Sequence, residues 1–206
     1  KGIDKLSQKI VEVSNIVKRQ DSDGLFRMPI DRVFSMKGFG TVVTGTVASG
    51  YAKVNQNIEI LPGNRIIKVR GMQTHLNSVD AVRVGDRAAL NLQNIGIEEV
   101  SRGAHVVESN YFNLVERVGA VVEVLSSSQF EIHQNQRVRI HIGTSEVMAR
   151  IALTNKKSIK PGQYAPALLK LEEPIVAAYK DRFIIRLFSP IITIGGGELV
   201  DVDITT

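Results

Sequence analysis

Two periods of apolar residues run through this chain. Between residues 3 and 19, Ile3, Leu6, Ile10, Val13 and Val17 recur at steps of three and four, which predicts a helix with one apolar stripe. Asp4 near its start and Lys18 and Arg19 near its end complement the helix dipole. Asp21-Ser22-Asp23-Gly24 breaks the pattern. After that the helical period is gone. Short apolar runs alternate with turn residues: Ile58–Leu61 before Pro62-Gly63-Asn64, then Ile66–Met72, Ala88–Leu92, Val118–Leu125, Val138–Ile142 and Ile184–Leu187. Such spacing predicts an all-β body of barrels or sandwiches behind a single N-terminal helix.

The stretch Phe26 to Gly50 is the most informative of these runs. It reads as two strands joined by a glycine turn, with an acid and a base, Asp31 and Arg32, inside the first strand. Val42, Val43, Thr44, Thr46 and Val47 are β-branched and suit a pleated, half-buried surface. Gly38, Gly40, Gly45 and Gly50 sit where a side chain would obstruct a turn or a partner.

Composition narrows the classes. The 206 residues can hold one large or two small domains, and 43% are hydrophobic, enough for real cores. No run approaches the ~20 consecutive apolar residues of a membrane span, and no signal peptide is visible, so a cytoplasmic protein is expected. There is no cysteine, which excludes disulfides and thiolate metal sites. The net charge is +5; residues 1–20 hold five Lys/Arg against two Asp/Glu, residues 21–107 ten against eight, and residues 108–206 eleven against eleven. A mild basic excess suits RNA phosphates as well as a solvated surface. A junction is expected near Glu108–Phe112, where Arg102–Val107 reads as a closing strand and Ser109-Asn110 as a connector. The expected organisation is 1–20 helix and linker, 21–107 first barrel, 108–206 second barrel.

The familiar catalytic motifs fail one by one. No G-x-x-x-x-G-K-[ST] phosphate cradle occurs, so no nucleotide site is expected. Asn155-Lys156-Lys157-Ser158 resembles a guanine-specificity motif but lacks its aspartate and reads as a turn. Gly38-Phe39-Gly40 is not a kinase loop, since Gly45 comes late and no H-R-D or D-F-G follows. Gly195-Gly196-Gly197 runs on into a strand, so a bulge or a close backbone approach is expected there. His75, His105, His133 and His141 form no metal-ligand spacing, and His141 reads as a strand residue with a satisfied hydrogen bond. Glu98-Glu99 and Glu172-Glu173 read as solvated loop charges.

The residues left over are arginines inside apolar strands. Arg32 follows Ile30-Asp31, and Arg87 follows Gly85-Asp86 just before an apolar run. A half-buried guanidinium needs an anion. The residues leave two answers open: an internal ion pair, Asp31 with Arg87 or Asp86 with Arg32, or a site for an anionic ligand. Asp31 and Arg32 are neighbours and would face opposite ways in a regular strand. Either a bulge turns one of them, or only one reaches a pocket.

Long motifs carry a resemblance. Pro29 to Thr46, PIDRVFSMKGFGTVVTGT, is similar to the start of the second domain of translational GTPases and resembles most the selenocysteine-specific elongation factors. Asp181–Arg186 and Ser189–Gly197 are similar to the third domain of the same factors, and the match runs over nearly the whole chain. The resemblance implies two consecutive antiparallel β-barrels, domains II and III, preceded by a helix left from a GTP-binding domain. Leu6, Ile10 and Val13, without that domain's sheet, are expected to find a surrogate partner on a barrel or on a second molecule. It implies the aminoacyl-tRNA-binding portion of a factor that delivers selenocysteinyl-tRNA to the ribosome in a GTP-dependent manner. No enzyme activity is expected of these residues themselves; GTP and magnesium belong to the parent's GTP-binding domain, which is the third expected partner beside the tRNA and the ribosome. It places Asp31, Arg32 and Arg87 in the selenocysteinyl pocket, with Phe34, Thr44 and Asn91 shaping the pocket for the tRNA 3′ end. A selenol is an anion at neutral pH, and guanidinium groups separate it by charge from serine or cysteine. An extension that binds an mRNA hairpin in bacterial members is not matched, so mRNA binding is not expected here.

Three other readings compete. Another translational GTPase would carry ordinary aminoacyl- or initiator-tRNA, and the two arginines argue against it. An enzyme acting on phosphorylated or anionic substrates would need a base or metal set that the sequence does not supply. A purely structural barrel pair would leave no free guanidinium in a pocket.

Overall fold

The computed structural model describes residues 2–16, 24–38, 40–202 and 204. It begins with α1 (Ile3–Ile16), followed by nine strands of a first sheet system. These are β1 (Arg27–Met36), β2 (Gly40–Thr46), β3 (Tyr51–Lys53), β4 (Asn57–Leu61), β5 (Arg65–Thr74), β6 (Asn77–Val79), β7 (Ala81–Arg83), β8 (Arg87–Leu92) and β9 (His105–Glu108). The second system holds β10 (Leu114–Val124), β11 (Ile132–His133), β12 (Gln136–Ile142), β13 (Ser145–Leu153), β14 (Ser158–Ile159), β15 (Tyr164–Val176), β16 (Arg182–Leu187) and β17 (Thr193–Asp201).

In the first system the strand order is β4-β9-β1-β2-β8-β5-β6, and a further β4–β5 pairing joins the ends. Six antiparallel strands thus form a ring with β6 on its rim. Alternation does the sorting: along β8, Ala88, Leu90 and Leu92 point into the core while Arg87 and Asn91 do not. Phe26, Met28, Ile30, Val43, Leu90 and Val106 fill the interior. The second system is a closed barrel, β10-β15-β13-β12-β16-β17, around Val122, Val124, Ile140, Ile151, Leu169 and Ile185. The all-β architecture with one leading helix agrees with the pattern read from the sequence.

The triple glycine closes the second barrel. A Cβ on Gly195 would lie 2.2 Å from the Glu123 carbonyl oxygen, one on Gly196 2.5 Å from that of Phe183, and one on Gly197 2.1 Å from that of Val121. Close backbone approach on both sides of β17 is therefore what these glycines permit.

The barrels share an interface. Leu61 and Val107 of the first pack with Val176 of the second, with Phe112 and Leu114 alongside. Gly143 brings its backbone against Pro29, and the Ser145 hydroxyl donates to the Gly103 carbonyl at 2.8 Å. Arg27 and Asp181 form an ion pair across the joint, with side chains only 8% and 17% exposed. His105 is buried here, and burial, followed by the neighbouring Arg27 charge, pushes its pKa down to about 4.

Three expectations need correction. No residue of α1 is buried, and Leu6, Ile10 and Val13 remain 61%, 60% and 47% exposed, so of the two partners expected for the stripe no barrel serves, which leaves a second molecule. The expected continuation through Val17, Lys18 and Arg19 and the break at Asp21–Asp23 lie outside the described residues. Glu172 is not a loop charge: it lies in β15 and takes both oxygens to Arg137, at 2.7 and 2.6 Å. His141 has no satisfied hydrogen bond: its Nε2 is buried without a partner, and its Nδ1 stands 3.7 Å from Glu146.

Candidate functional site

The site begins with a bulge. In the β1–β2 pairing Ile30 opposes Gly45, but Arg32 opposes Thr44, so Asp31 is the extra residue. Ile30 points into the core and Val33 packs against it. The extra residue between them puts Asp31 and Arg32 together on the outer face, which strict alternation would forbid. The sequence left that choice open; the bulge resolves it.

Cross-strand neighbours then line up on that face. Arg32, Thr44, Ala89 and Gln73 form one row across β1, β2, β8 and β5. Phe34, Val42, Asn91 and Gly71 form the next. Arg87 opposes Thr46 at the near end of β8. All six residues singled out in the sequence, Asp31, Arg32, Phe34, Thr44, Arg87 and Asn91, thus lie on one face of one sheet.

Asp31 and Arg87 form the internal ion pair that the sequence admitted. Arg87 donates through Nη1 to Asp31 Oδ2, and through Nη2 to Oδ1 at 2.9 Å. The Thr44 hydroxyl donates to Asp31 Oδ1 at 2.8 Å. The hydrogen bond from Arg87 holds the Asp31 carboxyl below the usual carboxylate range, with Thr44 and the nearby Arg32 charge adding to it. The same hydrogen bond raises the Arg87 guanidinium. Arg87 stays accessible, its side chain 44% exposed. The alternative pairing is not seen: Asp86 accepts instead from the Arg83 backbone N–H at 3.0 Å. Arg32 has no ion-pair partner among the described residues. Two guanidinium groups and one carboxylate leave this corner one positive charge in excess.

Beside the charged corner lies an apolar groove of about 270 Å³, lined by Met36, Val42, Gly71, Gln73, Ala89 and Asn91, with Ser78, Val79 and Asp80 at its far wall. The side-chain amide oxygen of Asn91, Oδ1, is buried with no hydrogen-bond partner, so it is free for a ligand donor. A Cβ on Gly71 would meet nothing within 4 Å, so the missing side chain is space in the groove itself. The β5–β6 wall was not singled out from the sequence, although a glycine inside a strand pattern was its one signal. Among the described residues no group of three His, Asp or Glu could hold a metal ion, and no helix is long and apolar enough to cross a membrane.

The first of the two tandem antiparallel barrels thus presents a bulged outer face bearing two arginines. Residues 40–107 match the family described as Elongation factor Tu domain 2, and residues 120–205 that described as Selenocysteine-specific elongation factor, beta-barrel domain. The chain is 34% identical over 200 residues to the selenocysteine-specific elongation factor of Desulfomicrobium baculatum, covering 97% of this chain and 32% of that protein. It is 31% identical over 218 residues to that of Methanocaldococcus jannaschii, covering 97% and 46%. A solved structure of translation elongation factor SelB from Methanococcus maripaludis, in its apo form, superposes with a TM-score of 0.81 at 25% identity, covering 98% of this chain and 48% of the other. The chain thus belongs to the selenocysteine-specific elongation-factor family, of which it carries the two barrel domains, and spans about a third to a half of those relatives' length.

Proposed function

We propose that the chain is the aminoacyl-tRNA-binding portion of a factor that delivers selenocysteinyl-tRNA to the ribosome in a GTP-dependent manner. In the whole protein, GTP and its magnesium would be held by a separate GTP-binding domain. The observation that carries the reading is the bulge at Asp31, because it gathers Arg32 and Arg87 on one face. Asp31 and Thr44 orient the Arg87 fork, and Arg32 supplies the unneutralised charge. A selenolate brings one negative charge to a corner that has one positive charge in excess. A seryl hydroxyl leaves that charge uncompensated. Each charge-assisted hydrogen bond to the selenolate is worth roughly 1.5–3 kcal/mol, or about ten- to a hundredfold in affinity. The apolar groove next to it takes the terminal adenosine, with Asn91 Oδ1 accepting a hydrogen bond and Phe34 in the same cross-strand row.

The test is a titration of Arg32→Ala and Arg87→Ala with selenocysteinyl- and seryl-tRNA. Selenocysteinyl-tRNA should lose about ten- to a hundredfold, and seryl-tRNA less than about threefold. Equal losses on both would remove the selenium-specific role and leave general tRNA binding. A native preference for a neutral aminoacyl group would point to a factor for ordinary aminoacyl- or initiator-tRNA.

A further inference from the structure

The joint between the barrels holds a pair of charges that the proposed tRNA site does not use. Arg27, at the start of β1, is 7% exposed and donates through Nη1 to Asp181 Oδ2 at 2.7 Å and through Nη2 to Oδ1 at 2.5 Å. Asp181 also accepts from the Ala178 backbone N–H at 2.8 Å, which fixes the plane of its carboxylate. Both residues sit on tethered backbone. The Arg27 carbonyl accepts from the N–H groups of Ala48 and Ser49, and the Asp181 carbonyl from that of Leu199. A planar fork meeting a planar carboxylate links the two barrels in one orientation only.

As glue, this pair is poor. Taking both charges out of water costs several kcal/mol, and the Arg27 Nε is buried with no acceptor at all. Adhesion is supplied elsewhere, by the apolar contact of Leu61 and Val107 with Val176. His105 next to the pair stays neutral at pH 7, so no third charge competes for Asp181.

We infer that Arg27 and Asp181 set the angle between the two barrels, leaving the apolar contact to hold them together. Because Arg27 lies on the same strand as Asp31 and Arg32, the pair also fixes the arginine-bearing face relative to the second barrel. The inference concerns geometry and stands whichever ligand that face takes.

The chain has no cysteine, so Lys68→Cys and Lys160→Cys, one exposed position on each barrel, accept spin labels cleanly. The distance distribution between them, read by pulsed dipolar spectroscopy, reports the angle. With Arg27 and Asp181 intact it should be single and narrow. The double replacement Arg27→Met with Asp181→Leu should stay folded, because apolar substitutes for a buried pair are commonly tolerated, while the distribution broadens at least about twofold. Asp181→Asn keeps the side-chain shape and provides a second reading, with the same broadening expected. An unchanged width in any folded variant overturns the inference. So does loss of the fold in both variants, since the pair would then be holding the molecule together.

Discussion

Both barrels are six-stranded antiparallel rings, yet their irregular pairings fall in different places. In the first, β1 slips between Ile30 and Arg32 and β5 between Val69 and Gly71. These two strands flank the β2–β8 pair, so the slips border the outer face that carries the candidate site. In the second, β10 slips against β15 between Val115 and Arg117 and against β17 between Gly119 and Ala120, and β16 slips against β17 between Ile185 and Arg186. Two of these three adjoin β17, the strand of the triple glycine. In the first barrel the slip in β1 aims polar side chains outward; in the second the slips lie beside or away from a seam where backbones meet closely. Glycine has two meanings here: at Gly71 the missing side chain is open space, whereas at Gly197, as at Gly45 of the first barrel, its place is occupied by a neighbour's carbonyl.

The sharpest break of that comparison is Gly197→Ala. Its Cβ would stand 2.1 Å from the Val121 carbonyl oxygen and 2.7 Å from the Phe183 ring, and backbone cannot step aside cheaply. A loss of about 3 kcal/mol or more is expected, read as a fall in the denaturant midpoint of the second barrel. A variant as stable as the parent would refute the closure role of the seam.

The joint between the barrels responds to pH through His105. Its folded pKa of about 4 lies below the ~6.5 of a free imidazole, so the unfolded chain binds the proton more tightly. Stability is complete above pH ~6.5 and drains as pH falls toward about 4, by an amount on the order of 3 kcal/mol. Denaturation series across that window should show the slope in the parent and a flatter one in His105→Gln. Equal slopes would place the titration elsewhere.

Smaller effects belong to the candidate site. Asp31→Ala removes a pair whose side chains are 28% and 44% exposed, so stability should fall by less than about 1 kcal/mol. The freed Arg87 should instead gain affinity for simple anions, measured by calorimetric titration. A larger stability loss would make the pair structural. Gly71→Ala should change stability by no more than about 0.5 kcal/mol. It should still weaken binding of a tRNA 3′ end, because the added methyl enters the groove; unimpaired binding would remove the groove from the site.

Much of this architecture was legible in the chain, and the limits have physical reasons. β-branched runs between turn residues revealed strands because pleated positions select them. Gly195-Gly196-Gly197 could be read as close approach because no helix follows. Asp31 and Arg32 could be read only as a conflict, since a bulge is invisible to a period of two. The Asp31–Arg87 pair was one of two combinations the residues allowed, and register chose between them. Arg27 and Asp181 left no local signal: they are 154 positions apart, and each reads alone as a strand-end or turn charge. The stripe on α1 was legible as the apolar face of a helix, but periodicity does not say what covers it.

The central claim is that this face recognises charge. It is tested most directly by measuring affinity for selenocysteinyl- and seryl-tRNA side by side as pH is lowered through the pKa of the selenol. Seryl-tRNA, whose hydroxyl does not titrate, controls for any change in the protein. The account predicts that the preference for selenocysteinyl-tRNA is full at neutral pH and declines as the selenolate gains its proton. A preference that stays constant relative to seryl-tRNA across the range would contradict it.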